Sequence, residues 1–293
     1  MTVQPTTTIS RSRDWVNMTK PGIVVSNVMT AAAGLWLAPG AAGSALAVAA
    51  LVGTGLLVAG SGAFNQVLER DTDQFMPRTR ARPMASGRRS ASEGVALGLL
   101  TIIGGTALLA VSVNLLSAIL GLVATFIYVF IYTPLKRRTL WAVPVGAVSG
   151  ALPPVMGWAA ATGSIDAGAI ALFGLIFWWQ MPHFLGIALY RADDYRAAGL
   201  QIAPTPKRYP LTVAAVRLGA LLTLASAAAI PFFADTGVAF VALVVLGALL
   251  PTVYAFRPVH AGEVAGWGRR VFLSSLVTLP LLALAALVQW MVG

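Results

Sequence analysis

Long apolar runs separated by short polar connections are the feature that most restricts how this chain can fold. Nine such runs occur among 293 residues, each about 17–25 residues long, which is the length of a membrane-spanning helix. Only 10% of the residues are charged, whereas a soluble domain carries about 25%. Lipid must therefore cover the surface, and the sequence predicts an all-α polytopic membrane protein, one domain over 1–293 with about nine transmembrane helices around a central cavity. The predicted helices cover roughly 21–38, 43–66, 93–112, 115–134, 141–161, 168–190, 211–231, 237–256 and 271–291.

The distribution of charge predicts the orientation of these helices. The chain has 20 Lys and Arg against 10 Asp and Glu, and with nine spans every Lys and Arg falls on the side of the N-terminal segment 1–20. The charged residues of the opposite side are Asp166 and Asp235. By the positive-inside rule the basic side is cytoplasmic and the C-terminus lies outside. Topology thus explains the basic charge, and no nucleic-acid partner is predicted. The polar N-terminal segment lacks a signal-peptide or transit-peptide pattern, which favours a bacterial plasma membrane.

Two connections on the basic side are long, 67–92 and 191–210, and long ordered loops tend to be functional. They contain a group of acidic residues in a chain that has few: Glu69, Asp71, Asp73, Asp193 and Asp194. The chain has no cysteine, which excludes thiolate catalysis and cysteine-based metal sites. We therefore expect the two segments to be cytoplasmic active-site loops.

The first loop has the pattern of a site for a metal-bound diphosphate. Asn65, Glu69 and Asp73 follow one another at intervals of four residues, so on a continuing helix they share one face. Oxygen ligands on one stripe suit Mg²⁺, which binds one or two carboxylates and keeps substrate phosphates and waters. Asp71 lies off the stripe but could reach the metal from the helix end. Arginine forks that could hold the free phosphate oxygens follow at Arg78, Arg80, Arg82, Arg88 and Arg89. The alternative is a solvated acidic loop with internal ion pairs.

Six ordered motifs carry a family resemblance that covers about residues 19–207. They are Thr19-Lys20-Pro21, Asn65-x3-Glu69-x-Asp71-x-Asp73, Tyr132-Thr133-Pro134-Leu135-Lys136-Arg137, Gly150 to Trp158, Trp179-Gln180-Met181-Pro182-His183 and Asp194-Tyr195. Together they resemble the UbiA-type intramembrane prenyltransferases, and within these the heme O synthase (protoheme IX farnesyltransferase) branch. Two departures concern the metal: Glu69 stands where the superfamily usually has aspartate, and Ala198 stands where its second motif has an acid. The number of metal ions is therefore left open.

The resemblance implies a reaction and a set of site residues. It implies transfer of a farnesyl group from farnesyl diphosphate to the 2-vinyl group of protoheme IX, with addition of water, to form heme O. It also implies Mg²⁺ as cofactor and heme as a substrate rather than a cofactor, with heme A synthase or oxidase assembly factors as candidate partners. The predicted catalytic residues are Asn65, Glu69, Asp73, His183 and Asp194. The predicted metal ligands are Asn65, Glu69, Asp71, Asp73, Asp193 and Asp194.

The second loop is connected to His183 through a predicted helix. Asp194 comes eleven residues after His183, close to a whole number of turns, so an unbroken helix would carry both on one face with His183 deep and Asp194 at the rim. Pro182 favours a kink just before the histidine. Three interpretations of His183 stay open: an axial ligand of heme iron, a hydrogen-bonding group near the reacting vinyl, or a packed polar contact between helices. Trp179 and Tyr190 flank the same stripe and could contact substrate.

Basic residues provide the predicted anion contacts. Candidates for the diphosphate or the heme propionates are Lys20, Arg78, Arg82, Lys136, Arg137, Lys207 and Arg208. The alternative for each cluster is a role in topology alone. Three other functions compete with heme farnesylation: prenyl transfer to a quinone precursor, secondary transport, and a structural or assembly role in an oxidase complex. A transporter would be expected to place polar residues at the bilayer midplane, whereas these acids gather at one edge.

Overall fold

The chain is helical throughout the part that the computed structural model describes, residues 11–40 and 43–292. Eight helices are long and apolar enough to cross a membrane, and the 17-residue helix Pro21–Leu37 occupies the position of the first predicted span. The prediction of an all-α multi-pass membrane protein is confirmed. The first ten residues of the predicted segment 1–20 lie outside the described part.

The described part of the chain contains thirteen α-helices. They are α1 (Arg11–Met18), α2 (Pro21–Leu37), α3 (Ser44–Asp73), α4 (Ala91–Ser112), α5 (Leu115–Phe126), α6 (Thr133–Leu135), α7 (Ala142–Thr162), α8 (Ala167–Tyr190), α9 (Ala192–Ala197), α10 (Tyr209–Ala229), α11 (Val238–Phe256), α12 (Val264–Ser275) and α13 (Thr278–Val292).

Helix α7 is the most buried span and lies between α2, α5 and α8. Small residues make this possible, because in lipid the helices associate by close packing of their backbones. A Cβ atom at Gly34 of α2 would lie 1.9 Å from the carbonyl oxygen of Pro154 in α7, so only glycine permits this approach. The contact fixes α2, and with it the chain segment that precedes α2, against the centre of the bundle.

Helix α3 extends beyond its apolar part and ends at Asp73, so the first seven residues of the predicted loop 67–92 continue the helix. Turns occupy most of 74–89, and α4 then begins with a capping box in which Ser90 and Glu93 bond each other's backbone N–H groups. The end of the bundle at which α3 reaches Asp73 and α8 reaches Tyr190 is called the basic end below.

Two irregular segments interrupt the spans. A π-helical stretch, Ile127–Tyr132, connects α5 to α6, and such stretches are frequent at functional sites. The last span breaks between α12 and α13 at Leu276 and Val277. Pro280 accounts for this break, because proline has no N–H for the carbonyl of Leu276 and its ring would clash with that carbonyl.

The expected common face of His183 and Asp194 is not formed. Helix α8 is continuous through Pro182 but ends at Tyr190, where Arg191 has non-helical backbone angles (φ −108°, ψ 23°). Asp194 lies on the separate short helix α9. A helical register therefore cannot relate the two residues.

Candidate active site at the basic end of the bundle

A cavity of about 540 Å³ runs from the basic end into the interior of the bundle. Its basic end is lined by charged residues of α3, of the turns that follow it and of the segments next to α2 and α6. Its interior is lined by apolar and aromatic side chains, among them Leu57, Met156, Ile176 and Trp179, together with His183. The cavity thus joins a charged end to an apolar chamber.

The predicted stripe on α3 is present and faces the cavity. Asn65, Glu69 and Asp73 all line it, and each is only 1–2% exposed. Their spacing of four residues on one continuous helix explains the shared direction. Because buried carboxylates need partners, the neighbours of these three residues define what the site can bind.

Asn65 is held in one orientation by two neighbours. Its amide Nδ2 donates to Thr133 Oγ1 at 2.8 Å, and the Thr133 hydroxyl donates to the Tyr128 carbonyl at 2.8 Å. The amide oxygen Oδ1 is thereby left to accept from the Lys20 ammonium. The π-helical stretch Ile127–Tyr132 thus positions Asn65 as well as shaping the wall.

Lys20 reaches the site through an unusual backbone conformation. Its φ of 55° makes it the one non-glycine residue with positive φ among the residues that the structure describes. Such a conformation costs about 1–3 kcal/mol and persists where the surroundings impose it. Burial lowers the pKa of Lys20 to about 7, because it disfavours the charged ammonium form. A nearby anion such as the Glu69 carboxylate acts in the opposite direction and favours the ammonium form.

The two carboxylates each have a cationic partner. Glu69 Oε1 is paired with the Lys136 ammonium, and Asp73 Oδ2 accepts from Arg82 Nη1 at 2.7 Å. The backbone carbonyl of Asp73 also accepts from Thr79 Oγ1 at 2.8 Å, which ties the turn segment back to α3. Arg78 lines the cavity beside this group. Four cations, Lys20, Arg78, Arg82 and Lys136, therefore surround the basic end.

Helix α1 braces the same end from outside. Asp14, 3% exposed, accepts from Arg88 at 3.0 Å. Gln66 of α3 donates to the carbonyl of Asn17 at 2.7 Å and to that of Met18 at 3.2 Å. These bonds connect α1 both to the turn segment that contains Arg78 and Arg82 and to the helix that contains the stripe.

The stripe fits Mg²⁺ only if substrate supplies further ligands. Asp73 Oδ1 is buried and has no hydrogen-bond partner among the described residues, as expected for an oxygen that a cation would satisfy. No cluster of three or more His, Cys, Asp or Glu side chains suited to a metal occurs in the described part of the chain. Two carboxylates and an amide oxygen match Mg²⁺, which takes few protein ligands and completes its shell with phosphates and water.

Several predicted site residues lie away from the cavity. Asp71 is exposed and pairs with Arg70, Asp193 pairs with Arg196, and Asp194 pairs with Arg191. Arg137 donates to the Leu68 carbonyl at 2.5 Å on another face of α3. The cavity lining also lacks Tyr190, Lys207 and Arg208. The structure thus brings together the stripe and four cations, and leaves the second loop's acids in local ion pairs outside the cavity lining.

His183 lies in the interior wall. Its ring stacks on Trp179 with centroids 4.7 Å apart, and Phe184 and Phe272 meet it edge-on at 5.1 Å. Its Nδ1 is 2.8 Å from Ser275 Oγ, while the Trp179 indole donates to the Ser275 carbonyl at 2.9 Å. Of the three predicted site residues on this helix, His183 and Trp179 line the cavity and are bonded to Ser275 at the end of α12, whereas Tyr190 does not line it.

Several lining residues were given no role by the sequence analysis, although Tyr132 and Tyr195 stand inside its motifs. Tyr128 and Tyr132 stack with centroids 5.5 Å apart beside the stripe, and Tyr195 of α9 lines the same end, where burial raises the pKa of its phenol. The i, i+4 spacing of the two tyrosines, next to Thr133-Pro134, was the available signal. It was weak because aromatic residues are common near membrane interfaces. Nothing in the sequence related Ser275 to His183.

Comparisons with known proteins agree on one family. Residues 27–276 match the UbiA prenyltransferase family. The protoheme IX farnesyltransferase of Anaeromyxobacter dehalogenans is 42% identical over 275 residues, which is 93% of this chain and 92% of that protein. Among solved structures, the apo UbiA homolog from Aeropyrum pernix K1 superposes with a TM-score of 0.75 at 19% identity, covering 90% of this chain and 97% of that one. The Archaeoglobus fulgidus homolog bound to GPP and Mg²⁺ superposes with a TM-score of 0.68 at 16% identity, covering 92% of this chain and 99% of that one.

Proposed function

Because this chain belongs to the UbiA prenyltransferase family, and its relatives include protoheme IX farnesyltransferases, we propose that it converts protoheme IX to heme O. The farnesyl group of farnesyl diphosphate is transferred to the 2-vinyl group, and water adds to the product cation. The observation that carries the proposal is the single cavity that joins four cations and the Asn65–Asp73 stripe to an aromatic chamber with one histidine. One end suits a diphosphate, and the other suits a prenyl chain and a flat macrocycle.

We assign the stripe to a Mg²⁺–diphosphate complex. Asn65, Glu69 and Asp73 would hold the ion, and the Mg²⁺ in the GPP-bound Archaeoglobus fulgidus homolog supports this by analogy. When bound, the metal neutralises charge on the departing diphosphate. Lys20, Arg78, Arg82 and Lys136 would take the other phosphate oxygens, which is the electrostatic help that the departing anion needs. Asp71, Asp193 and Asp194 stay predictions as ligands, and their ion pairs outside the cavity lining do not support the assignment.

The chain's own residues account for the next steps without a covalent intermediate. The bond between the allylic carbon and the diphosphate oxygen breaks, and its electron pair leaves with the diphosphate. The stacked rings of Tyr128 and Tyr132 stand next to the stripe and can stabilise the allylic cation through their faces. The vinyl group supplies the electron pair for the new carbon–carbon bond. Water then adds to the cation left on the vinyl carbon and loses a proton.

The orientation also belongs to the proposal. All 20 Lys and Arg fall on the side of the N-terminal segment, so the positive-inside rule makes the basic end cytoplasmic. Farnesyl diphosphate would then enter from the cytoplasm of a bacterium, with the protein in its plasma membrane and the C-terminus outside. An association with heme A synthase or oxidase assembly factors stays a prediction.

A substrate assay tests the function. Purified protein is incubated with Mg²⁺ and farnesyl diphosphate, and with either heme or 4-hydroxybenzoate, and the products are identified by mass spectrometry. The proposal expects a heme product heavier by one farnesyl group plus one hydroxyl group, and no prenylated benzoate. Prenylated benzoate alone would favour the quinone-type reaction. Labelled substrate that enters vesicles without product would favour transport.

A further inference from the structure

We propose that Ser275 positions His183 so that its Nε2 atom coordinates the iron of the heme substrate. This inference rests on the proposed function and assigns the residue that holds the heme acceptor. It concerns two residues on different helices, α8 and α12, that the sequence separates by 92 positions. Nothing in the six motifs relates them.

The hydrogen bonds around Ser275 determine which ring nitrogen carries the proton. The Ser275 hydroxyl has one hydrogen, and Oγ lies 2.6 Å from the Phe272 carbonyl, to which it donates. Toward His183 Nδ1, at 2.8 Å, Oγ can therefore only accept. Nδ1 must carry the proton, so in the neutral ring Nε2 holds a free lone pair.

That lone pair is available to a ligand in the cavity. Nε2 has no hydrogen-bond partner among the described residues, and the ring belongs to the cavity wall. Trp179 stacks on one face, and Phe184 and Phe272 meet the ring edge-on, so the ring cannot turn to find another partner. A neutral imidazole whose second nitrogen donates a hydrogen bond is the usual form of a metal-ligating histidine.

Backbone packing holds Ser275 in place. A Cβ atom at Gly186 would lie 3.0 Å from the Gly268 carbonyl oxygen, so α8 and α12 approach closely next to His183. The break at Leu276 lets the Ser275 carbonyl accept from the Trp179 indole at 2.9 Å. One residue at the end of α12 thus fixes both rings, Trp179 through its backbone and His183 through its side chain.

Iron ligation is favoured over a contact to the vinyl group for a chemical reason. The reacting vinyl becomes cationic during transfer, and a free imidazole lone pair beside it would compete with water for that cation. Coordination by iron occupies the lone pair and sets the height of the macrocycle in the chamber.

Porphyrin titrations of the purified protein test this assignment. Heme and iron-free protoporphyrin IX are titrated into wild type, His183→Ala, Ser275→Ala and Ser274→Ala, and absorbance gives the affinities. Ser274 is the matched control, since its hydroxyl bonds the Val271 carbonyl at 2.9 Å in the same way but does not touch His183. We expect His183→Ala to weaken heme binding at least tenfold and Ser275→Ala about tenfold, within the range known for residues that hydrogen-bond a metal ligand. Ser274→Ala and all affinities for protoporphyrin IX should stay within about twofold.

Resonance Raman spectra of the ferrous heme complex separate positioning from general structure. The wild type should show an iron–histidine stretching band, which His183→Ala abolishes and Ser275→Ala shifts to lower frequency, because the ligand loses its hydrogen-bond acceptor. Ser275→Thr, which keeps the hydroxyl, should restore the frequency. An unchanged band in His183→Ala, or equal spectra for Ser275→Ala and Ser274→Ala, would overturn the inference. These results do not depend on turnover, so failure of wild type to farnesylate heme would count separately against the proposed function.

Discussion

The ammonium of Lys136 and the carboxylate of Glu69 form an ion pair whose side chains are 14% and 3% exposed. The two residues lie on different spans, on α3 and directly after α6. Removing one partner of such a pair leaves a buried charge and costs about 3–5 kcal/mol, although the partial exposure of Lys136 reduces this. The pair connects the stability of the fold to the charge of the site.

Lys136→Met should destabilise the purified protein, because it leaves Glu69 unpaired. We expect the free energy of unfolding to fall by about 2–3 kcal/mol and the thermal unfolding midpoint to fall with it. The double variant Lys136→Met, Glu69→Gln should recover most of that loss and yet show no transfer. Thermal unfolding in one detergent compares the two with wild type. If the single variant is as stable as wild type, the pair does not matter to the fold.

Asp73→Asn should reduce turnover by more than about 100-fold, on the order of 3 kcal/mol, because Asp73 Oδ1 is the buried oxygen left for a cation. It should also lower the unfolding midpoint, because Arg82 loses its anionic partner. Asp71→Asn is the matched control, since Asp71 is two residues away but exposed. Steady-state rates at varied Mg²⁺ measure both. Equal rates for the two variants would remove Asp73 from the metal site.

Two substitutions of Lys20 should differ in protein stability but weaken substrate binding equally. Lys20→Gly relieves the positive φ and should be about 1 kcal/mol more stable than Lys20→Ala, in which the strained backbone persists. Both variants lack the ammonium and should raise KM for the prenyl diphosphate by about tenfold, a loss of roughly 1.4 kcal/mol. Unfolding midpoints and KM values are measured on the same preparations. A Lys20→Gly variant no more stable than Lys20→Ala would argue against backbone strain at this position.

The brace between Asp14 and Arg88 should affect substrate binding more than chemistry. Asp14→Asn should raise KM for the prenyl diphosphate several-fold with little change in kcat, because it loosens the segment that carries Arg78 and Arg82. The cost in stability should be about 1 kcal/mol, since Arg88 keeps contact with solvent. Asp235→Asn, exposed and outside the basic end, is the control. A fall in kcat at unchanged KM would contradict a bracing role.

Removal of the metal should abolish transfer but leave heme binding unchanged. Chelation by EDTA should abolish transfer, because the diphosphate oxygens and the stripe then lack the cation that joins them. Heme affinity should stay within about twofold, since the aromatic chamber lies away from the stripe. Absorbance titration with heme before and after chelation, followed by re-addition of Mg²⁺, measures both. Transfer that persists without divalent metal would refute the metal assignment.

The sequence was sufficient to predict that the stripe residues share a helix face, because that relationship depends only on their spacing along the chain. Residues four apart on one helix must share a face, so Asn65, Glu69 and Asp73 could be placed together before any tertiary contact was known. The same reasoning failed for His183 and Asp194, because the helix that should join them ends at Tyr190. Helix ends depend on tertiary contacts as much as on local propensity, and the apolar pattern gave no signal for this one.

The sequence by itself determined the membrane-embedded all-α class, the approximate spans, the common face of Asn65, Glu69 and Asp73 and the family, because hydropathy, helical spacing and motifs are properties of the chain in one dimension. The tertiary structure alone decided which cations meet the stripe, that the acids of the second loop form ion pairs with neighbouring arginines, and that Ser275 bonds His183. Those relationships join helices far apart in the chain, and the close packing of small residues that creates them, as at Gly34 and Gly186, leaves no periodic signal in the sequence.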